Sequence, residues 1–147
     1  MTNIYKHLAS FKAFWMCIFF LFTLATTQAQ QWVPMNGPHG GSITSFVSNG
    51  TAIFAGTFSQ GVFRSTNNGD TWTQANTGLT GIHVSTLVVS GATIYAGTTD
   101  GGVFRSSDNG EHWTHVNVGK RPIVMSMIVS GSTIIVASNE PDRKDSY

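Results

Sequence analysis

The distribution of hydrophobic and polar residues divides most of the chain into short apolar segments separated by turn residues. Each segment is five to seven residues long and rich in Val, Ile, Thr and aromatic residues, which is typical of β-strands. One stretch contains four of them in succession: Val84–Ser90, Thr93–Thr98, Gly102–Ser106 and His112–Val118. No stretch beyond residue 30 has a convincing helical period, so the pattern predicts an all-β protein.

The same segments recur with a period of 41 residues. Gly61–Ser65 returns as Gly102–Ser106 with its sequence unchanged, and Trp72 returns as Trp113. A weaker third copy, Ser130–Ala137, follows the second at a spacing of 40 residues. Four short strands in about 40 residues match the size of one β-propeller blade. The repeat therefore predicts four-stranded antiparallel propeller blades.

Some strands are apolar at every position, as in Leu87–Val89 and Ile134–Val136. Strands of this kind are typically buried on both faces, and stacked blades provide such burial. In chain order the predicted parts are an orphan outer strand 32–36, a blade 42–76, a blade 83–117 and half of a third blade 123–138. Propellers usually carry about four to eight blades, so about two and a half blades make an incomplete propeller.

The sequence after residue 138 departs from the repeat. The repeat predicts a third strand with the sequence Gly-Val-Phe-Arg shortly after this position, but residues 139–147 are mostly polar and charged. We expect a truncated propeller, and the alternative is a charged cap over an exposed edge strand. Because unclosed blades leave apolar faces in water, the isolated chain is expected to aggregate or to self-associate through its blade edges.

The turn between the third and fourth strands carries the most specific motif. It reads STNNGDTW at 65–72 and SSDNGEHW at 106–113. Asn-Gly between two strands favours a tight hairpin, because both residues tolerate positive φ. The side chain of Asn67 or Asp108 can accept hydrogen bonds from nearby backbone N–H groups, and Trp72 and Trp113 can pack over the hairpin.

These two turns resemble the Asp-box (BNR) repeat, whose pattern is Ser/Thr-x-Asp-x-Gly-x-Thr-Trp. They depart from it at Asn67, where Asp is usual, and at His112, where Thr is usual. The resemblance implies a propeller like those of sialidases, xyloglucan-hydrolysing glucanases, sortilin-type receptors and photosystem assembly factors. It says little about function, because the box is a folding element shared by unrelated activities. The residues assigned to the two boxes are Ser65, Asn67, Gly69, Thr71, Trp72, Ser106, Asp108, Gly110 and Trp113.

The first thirty residues differ from the repeats. Lys6 and Lys12 precede an apolar run at 13–24, and Ala29 ends a short polar stretch, which is the pattern of a secretory signal peptide. A membrane anchor would need about 20 apolar residues. We expect the signal peptide 1–29 to be cleaved after Ala29, giving a secreted, periplasmic or cell-surface protein. The single cysteine, Cys17, lies inside it, so the mature chain can form no disulfide.

The charge of the chain excludes two classes of partner. The formal net charge is +1, and loss of Lys6 and Lys12 with the signal peptide leaves six basic residues against seven acidic ones. This balance offers no electrostatic basis for binding nucleic acid or an anionic membrane surface. No membrane insertion is expected after cleavage. The partner classes that stay open are a protein or a glycan, neither of them identified by the sequence.

The arginines and the tyrosine needed by a sialidase-type enzyme are not recognisable. Such an enzyme would need an arginine cluster for the substrate carboxylate, an acidic proton donor and a tyrosine–glutamate pair. Arg64 and Arg105 occupy the same place in successive repeats, which indicates a structural role, and Tyr95 is also a repeat position. Arg121 and Arg143 have no catalytic context.

Carboxylates and histidines give no better candidates. Asp70 and Glu111 are equivalent turn residues, so they do not form the carboxylate pair of a glycosidase. His112 and His115 are three residues apart and would point to opposite faces of a strand, and the ligand spacing of a zinc site is missing. Three further residues are interpreted as ordinary turn or loop residues: His39, His83 and Asp100. No catalytic residue, metal ligand or cofactor site is therefore assigned.

The sequence leads to one main hypothesis and two alternatives. The main hypothesis is an exported, non-catalytic propeller segment that binds a protein or a glycan through loops between the first and second strands and between blades. The first alternative is the N-terminal fragment of a secreted glycoside hydrolase whose catalytic residues lie outside this chain. The second is an assembly factor of the photosystem type, which would require a photosynthetic source.

Overall fold

The repeated apolar segments form strands. The computed structural model describes residues 37–38, 41–118 and 123–139. The predicted signal peptide 1–29, the predicted strand 32–36, and His39, Arg121 and residues 140–147 lie outside the described residues. Every regular element of the described residues is a strand, which confirms the all-β prediction. These residues belong to one compact unit, Met35–Tyr147.

The strands form two complete four-stranded sheets and one half of a third. Blade 1 contains β1 (Ile43–Ser48), β2 (Ile53–Thr57), β3 (Gly61–Ser65) and β4 (Thr73–Gln74). Blade 2 contains β5 (Val84–Ser90), β6 (Thr93–Thr98), β7 (Gly102–Ser106) and β8 (Thr114–Val116). The half-blade contains β9 (Ile123–Ser130) and β10 (Thr133–Asn139). Consecutive strands are antiparallel neighbours in each sheet, so the prediction of incomplete propeller blades is confirmed.

The outermost strands are shorter than the sequence pattern predicts. Residues 112–118 were expected to form the fourth strand, but β8 covers only Thr114–Val116. The backbone N–H of Trp113, just before β8, donates to the carbonyl of Thr77, just after blade 1, at 2.8 Å. This bond ties the start of the outer strand of blade 2 to the segment that follows blade 1.

The antiparallel order places the loops at two opposite edges of each blade. The β1–β2 and β3–β4 turns lie at one edge, here called the turn edge. The β2–β3 loop and the segment that joins successive blades lie at the other, the linker edge. The expectation of one contact surface made from the loops between first and second strands and the loops between blades is therefore wrong, because these loops lie at opposite edges.

Apolar burial holds blade 1 against blade 2. Phe54 and Val62 of blade 1 share one core cluster with Leu87, Ile94 and Phe104 of blade 2. Within blade 2 these three residues point to the same face, since Leu87 pairs opposite Ala96 and residues alternate along each strand. This face of blade 2 is the one directed at the preceding blade.

The opposite face of blade 2 packs on the half-blade. Val103 and Tyr95 of blade 2 share a second cluster with Val124, Met127 and Ile134 of the half-blade. Blade 2 is thus covered on both faces, as its continuous apolar strands predict. The half-blade is covered on one face only among the described residues.

Two glycines let the sheets approach closely. A Cβ added to Gly97 would lie 2.5 Å from Cγ1 of Val124 in the half-blade, and one added to Gly56 would lie 2.7 Å from Cγ1 of Val84 in blade 2. Both distances are far below van der Waals contact. A side chain at either position would therefore force the neighbouring atoms to shift.

We predict that Gly97→Ala destabilises the protein by about 1–3 kcal/mol through overpacking of the blade interface. Val124→Ala removes the nearest atom that the new side chain would meet, while a methyl group of Thr86 in the same sheet, 2.8 Å away, stays. The double variant should therefore lose less stability than the sum of the two single variants. Urea unfolding of the four proteins measures this coupling, and strictly additive losses would show that the contact with the half-blade does not cause the loss.

Candidate functional site

The β3–β4 turn of blade 1 is closed by its own side chains. The backbone N–H of Gly69 donates to Oγ of Ser65 at 2.8 Å, and Oγ of Ser65 donates to Oδ1 of Asn67 at 3.0 Å. The same Oδ1 accepts the backbone N–H of Thr71 at 2.9 Å, and Nδ2 of Asn67 donates to the Thr71 hydroxyl. Asn68 adopts a positive φ of 57°, as its Asn-Gly sequence predicts.

The β7–β8 turn of blade 2 repeats this network with a carboxylate. Gly110 N–H donates to Oγ of Ser106 at 2.8 Å, and that hydroxyl donates to Oδ1 of Asp108 at 2.8 Å. The carboxylate also accepts the backbone N–H of His112 at 3.0 Å and lies 2.9 Å from its Nδ1. The backbone hydrogen bond from His112, followed by the one from the Ser106 hydroxyl, lowers the pKa of Asp108 from 3.8 to about 2.

All nine residues of the motif lie in these two turns. Their side-chain oxygens accept bonds from the turn itself, so the arrangement fastens the hairpin and leaves no convergent set of groups for a substrate. The buried hydroxyls of Ser65 and Ser106 are each satisfied in this way, as buried polar groups require.

The two tryptophans of the motif have different partners. Trp113 is buried, and its Nε1 donates to the carbonyl of Ala75 in the segment after β4, at 2.7 Å. Trp72 is half-buried, donates to Gly69 of its own turn at 3.1 Å and packs against the ring of Phe46 at 6.0 Å. Packing over its own hairpin, as the sequence predicts, describes Trp72 only, because Trp113 is inserted against the preceding blade.

Arg64 ties the blade 2 turn to blade 1. Its Nη1 donates to the carbonyl of Asn109 at 2.9 Å and to the carboxylate of Glu111 at 2.5 Å. Asn49, in the β1–β2 turn, donates to Oδ1 of Asn109. These contacts place Arg64 in the structural role that its repeat position predicts, and they occupy the turn edge with bonds between blades.

Asp100 organises the linker edge. Its Oδ1 accepts the backbone N–H of His83 at 3.2 Å and its Oδ2 accepts that of Ile82 at 3.1 Å. Oδ2 also lies 3.1 Å from Nδ1 of His83. The residue predicted to serve a tight turn therefore also holds the linker between blades, and His83 is held by it.

A cleft opens beside this carboxylate. It has a volume of about 360 Å³ and is lined by Thr80, Asp100, Gly101 and His115. Its size falls within the range of about 300–1,000 Å³ that is usual for small-molecule sites. A cavity at the turn edge of blade 1, beside Asn68, has only about 50 Å³. The linker edge is therefore the better candidate site.

An aromatic pair lies elsewhere on the linker edge, where His83 contacts Asp100. The Phe58 ring lies 5.2 Å from the His83 ring, and Phe58 is 57% exposed. His115, in the cleft lining, packs edge-to-face on Phe104 at 5.3 Å, which restrains its ring. The linker edge thus has the carboxylate and imidazole of the cleft and, next to Asp100, the His83–Phe58 pair, groups that suit ligand binding through hydrogen bonds and stacking.

The sequence analysis named Asp100, His83 and His115 but assigned none of them to a binding site, although a signal was present. Asp100, Gly101 and His115 stand where the first repeat has Ser59, Gln60 and Gln74. Residues that every blade needs keep their type between repeats, so a polar side chain that occurs in one repeat only indicates a role specific to that blade. His83 likewise replaces Ser42. The differences between residues at equivalent positions of the two repeats were the signal that could have identified this site.

Two negative findings concern the described residues. No group of three or more His, Cys, Asp or Glu residues in this part of the chain could hold a metal ion. No helix with the length and apolarity needed to cross a membrane occurs there either.

Comparison with protein families assigns the fold independently. The family described as DUF6242 beta propeller domain matches residues 23–145. The chain belongs to this family. Its match covers most of the sequence, including both complete blades and the half-blade. A comparison with curated proteins gave no match.

A solved structure shares the same architecture. The crystal structure of a GH74 enzyme from Niastella koreensis aligns with 65% of this chain at 28% sequence identity and a TM-score of 0.53. The alignment covers 16% of that enzyme, so the chain spans a small part of its length. This DUF6242 domain is thus similar to a propeller segment of a glycoside hydrolase.

We predict that Asp108→Asn weakens the pH dependence of stability in acid. Because the folded protein lowers the pKa of Asp108 from 3.8 to about 2, the carboxylate stabilises the fold above about pH 4. That contribution is lost as the pH falls from about 4 to about 2. Thermal melting across this range should show a smaller loss for Asp108→Asn than for the parent protein. The control is Asp70→Asn, an exposed turn carboxylate, and an equal effect of the two variants would contradict the prediction.

A second prediction separates the two tryptophans. Trp113→Phe keeps most of the apolar area but leaves the carbonyl of Ala75 without its donor, which should cost about 1–3 kcal/mol. Trp72→Phe removes a bond within a more exposed turn and should cost less than about 1 kcal/mol. Urea unfolding monitored by far-UV circular dichroism measures both. Equal losses would mean that the bond between blades adds nothing.

Proposed function

We propose that this DUF6242 domain is an exported, non-catalytic propeller segment that binds a glycan at its linker edge. The observation that carries the proposal is the cleft of about 360 Å³ lined by Thr80, Asp100, Gly101 and His115. The export proposal rests on the signal-peptide pattern of residues 1–29.

The chemistry of the linker edge favours a glycan over an apolar ligand. The cleft presents a carboxylate, an imidazole and a threonine hydroxyl, which can exchange hydrogen bonds with sugar hydroxyl groups. The exposed face of Phe58 provides an apolar surface on which the C–H face of a sugar ring can stack. The similarity to a segment of a GH74 enzyme adds support, because a glycoside hydrolase acts on glycans.

We further propose that the two turns at 65–72 and 106–113 are Asp boxes. Their shared networks support this, since Ser65 and Ser106 accept from the same glycine position and Asn67 and Asp108 accept from the same backbone position. In this interpretation Asn67 replaces the usual aspartate without loss of the acceptor. The boxes serve folding and are separate from the binding site.

A second candidate function is a fragment of a glycoside hydrolase. The 28% identity over part of the GH74 enzyme supports it. Against catalysis at the cleft, its lining contains one carboxylate, Asp100, with no second carboxylate among the four lining residues. A two-carboxylate mechanism needs a pair of them flanking the bond that is cleaved. Turnover of aryl glycosides by the purified chain would replace the binding proposal with this one.

We predict that His115→Ala weakens glycan binding by about tenfold or more, equivalent to about 1.4 kcal/mol. The loss of a hydrogen-bonding imidazole from the cleft is the physical reason. Affinity electrophoresis against neutral β-glucans and sialylated oligosaccharides identifies the bound class, and calorimetry measures the affinity. Phe58→Ala should weaken binding by removing the stacking surface.

The matched control is Gln74→Ala, the equivalent position of His115 in blade 1. It should leave glycan binding unchanged. Thermal melting establishes that each variant is folded before binding is compared. Binding that is equally weakened by Gln74→Ala, or unaffected by both linker-edge variants, would exclude this site.

A further inference from the structure

The linker edge carries two groups of side chains that suit a ligand. The first is the cleft of about 360 Å³, whose lining includes Asp100 and His115. The second is the aromatic pair of Phe58 and His83, whose ring centroids lie 5.2 Å apart. Because Phe58 is 57% exposed, much of its ring is open to a ligand.

Asp100 joins the two groups. Its carboxylate accepts the backbone N–H groups of Ile82 at 3.1 Å and His83 at 3.2 Å, and it lies 3.1 Å from Nδ1 of His83. The carbonyl of Ile82 accepts the N–H of Gly61 at 3.0 Å, and Gly61 follows the loop that carries Phe58. The cleft and the aromatic pair are therefore neighbours, with Asp100 at their junction.

The loops that carry these side chains are closed by their own hydrogen bonds. The hydroxyl of Thr57 accepts the N–H of Gln60 at 3.0 Å and donates to the first carbonyl of β3 at 2.9 Å. The hydroxyl of Thr98 makes the equivalent bonds in the β6–β7 loop at 3.0 and 2.9 Å. The N–H of Phe58 donates to the carbonyl of Ser42 at 2.9 Å. Loops that are already fixed cost a ligand little ordering on binding.

Each blade contributes one part of this arrangement, and the other blade lacks that part. Phe58 lies in the β2–β3 loop of blade 1, and the equivalent residue of blade 2 is Thr99. Asp100 lies in the β6–β7 loop of blade 2, and the equivalent residue of blade 1 is Ser59. Within the described residues the combination thus occurs where blade 1 meets blade 2, which indicates a role specific to this junction.

We propose that the cleft and the aromatic pair are adjacent subsites for a neutral oligosaccharide of two or more sugar rings. One ring exchanges hydrogen bonds with Asp100 and His115 in the cleft, and the next ring stacks on Phe58. The inference rests on the proposed glycan binding and names its ligand class, a chain of sugars and not a single sugar. Because the first ring holds the second near its subsite, affinity rises with chain length.

The charge at the junction favours a neutral chain. The carboxylate of Asp100 lies between the two subsites, so an acidic sugar that passes it would bring two negative charges together. Among the described residues, the linker edge has no lysine or arginine that would offset this repulsion. Arg64 and Arg105 lie at the ends of β3 and β7 that lead into the turn edge.

The test compares sugar chains of increasing length. NMR titration of the whole chain uses cello-, xylo- and laminari-oligosaccharides, each from the monosaccharide to the hexasaccharide. In at least one series the affinity should rise by about tenfold or more with length. Phe58→Ala should lower the hexasaccharide affinity by about tenfold and flatten the dependence on length. His115→Ala should lower the affinity at every length and keep that dependence.

The matched control is Phe46→Ala, which removes a ring that is 52% exposed in β1, away from the linker edge. It should keep both the affinities and their dependence on length, and thermal melting shows that each variant is folded. Oligogalacturonides, which are acidic, should bind about tenfold or more weakly than neutral chains of equal length. Asp100→Asn should narrow this difference, because it removes the charge at the junction.

The outcomes separate this inference from the proposed function. Equal affinities for the monosaccharide and the hexasaccharide would overturn the inference and leave glycan binding intact. Tighter binding of oligogalacturonides would do the same, as would a length dependence that Phe58→Ala leaves unchanged. The absence of binding to any of these saccharides would contradict the proposed function itself.

Discussion

The packing of one sheet face on the next is the interaction on which the rest of this structure depends. Each blade has only short strands, and its apolar residues point to both faces, so a single blade cannot bury them alone. Blade 2 is packed on both sides: one of its faces is buried against blade 1, and the opposite face is covered by the half-blade. Gly56 and Gly97 favour this packing because a Cβ at either position would crowd a valine of the next sheet.

The turns stabilise this stacking and do not provide chemistry. Ser106 and Asp108 satisfy the backbone of the β7–β8 turn, and Trp113 then reaches the carbonyl of Ala75 in the preceding blade. Arg64 reaches the same turn from the other side. A turn fastened both to itself and to its neighbour fixes the spacing of the blades at the turn edge. At the linker edge a threonine hydroxyl, Thr57 or Thr98, closes the equivalent loop in both blades, yet other side chains there differ between the repeats.

Some of the side chains that differ between the repeats line the cleft at the linker edge. Asp100 and His115 are present in one repeat and missing from the other, and they line the cleft of about 360 Å³. Membership in the DUF6242 beta propeller domain family and the similarity to part of a GH74 enzyme establish the scaffold. The proposed glycan site uses side chains of that scaffold that differ between the two repeats.

The sequence by itself determined the strand order, because a 41-residue period with four apolar segments has one economical arrangement, an antiparallel blade. It also identified the side chains that close the turns, since Ser, Asn or Asp, and Gly act over a few residues. Only the tertiary structure decided the different partners of Trp72 and Trp113, the shortening of β8 and the cleft at Asp100. These depend on contacts between blades, and residues such as Trp113 and Ala75 are 38 positions apart in the chain. A local pattern carries no information about which neighbouring sheet is present, and that neighbour determines whether a tryptophan packs over its own turn or between two blades.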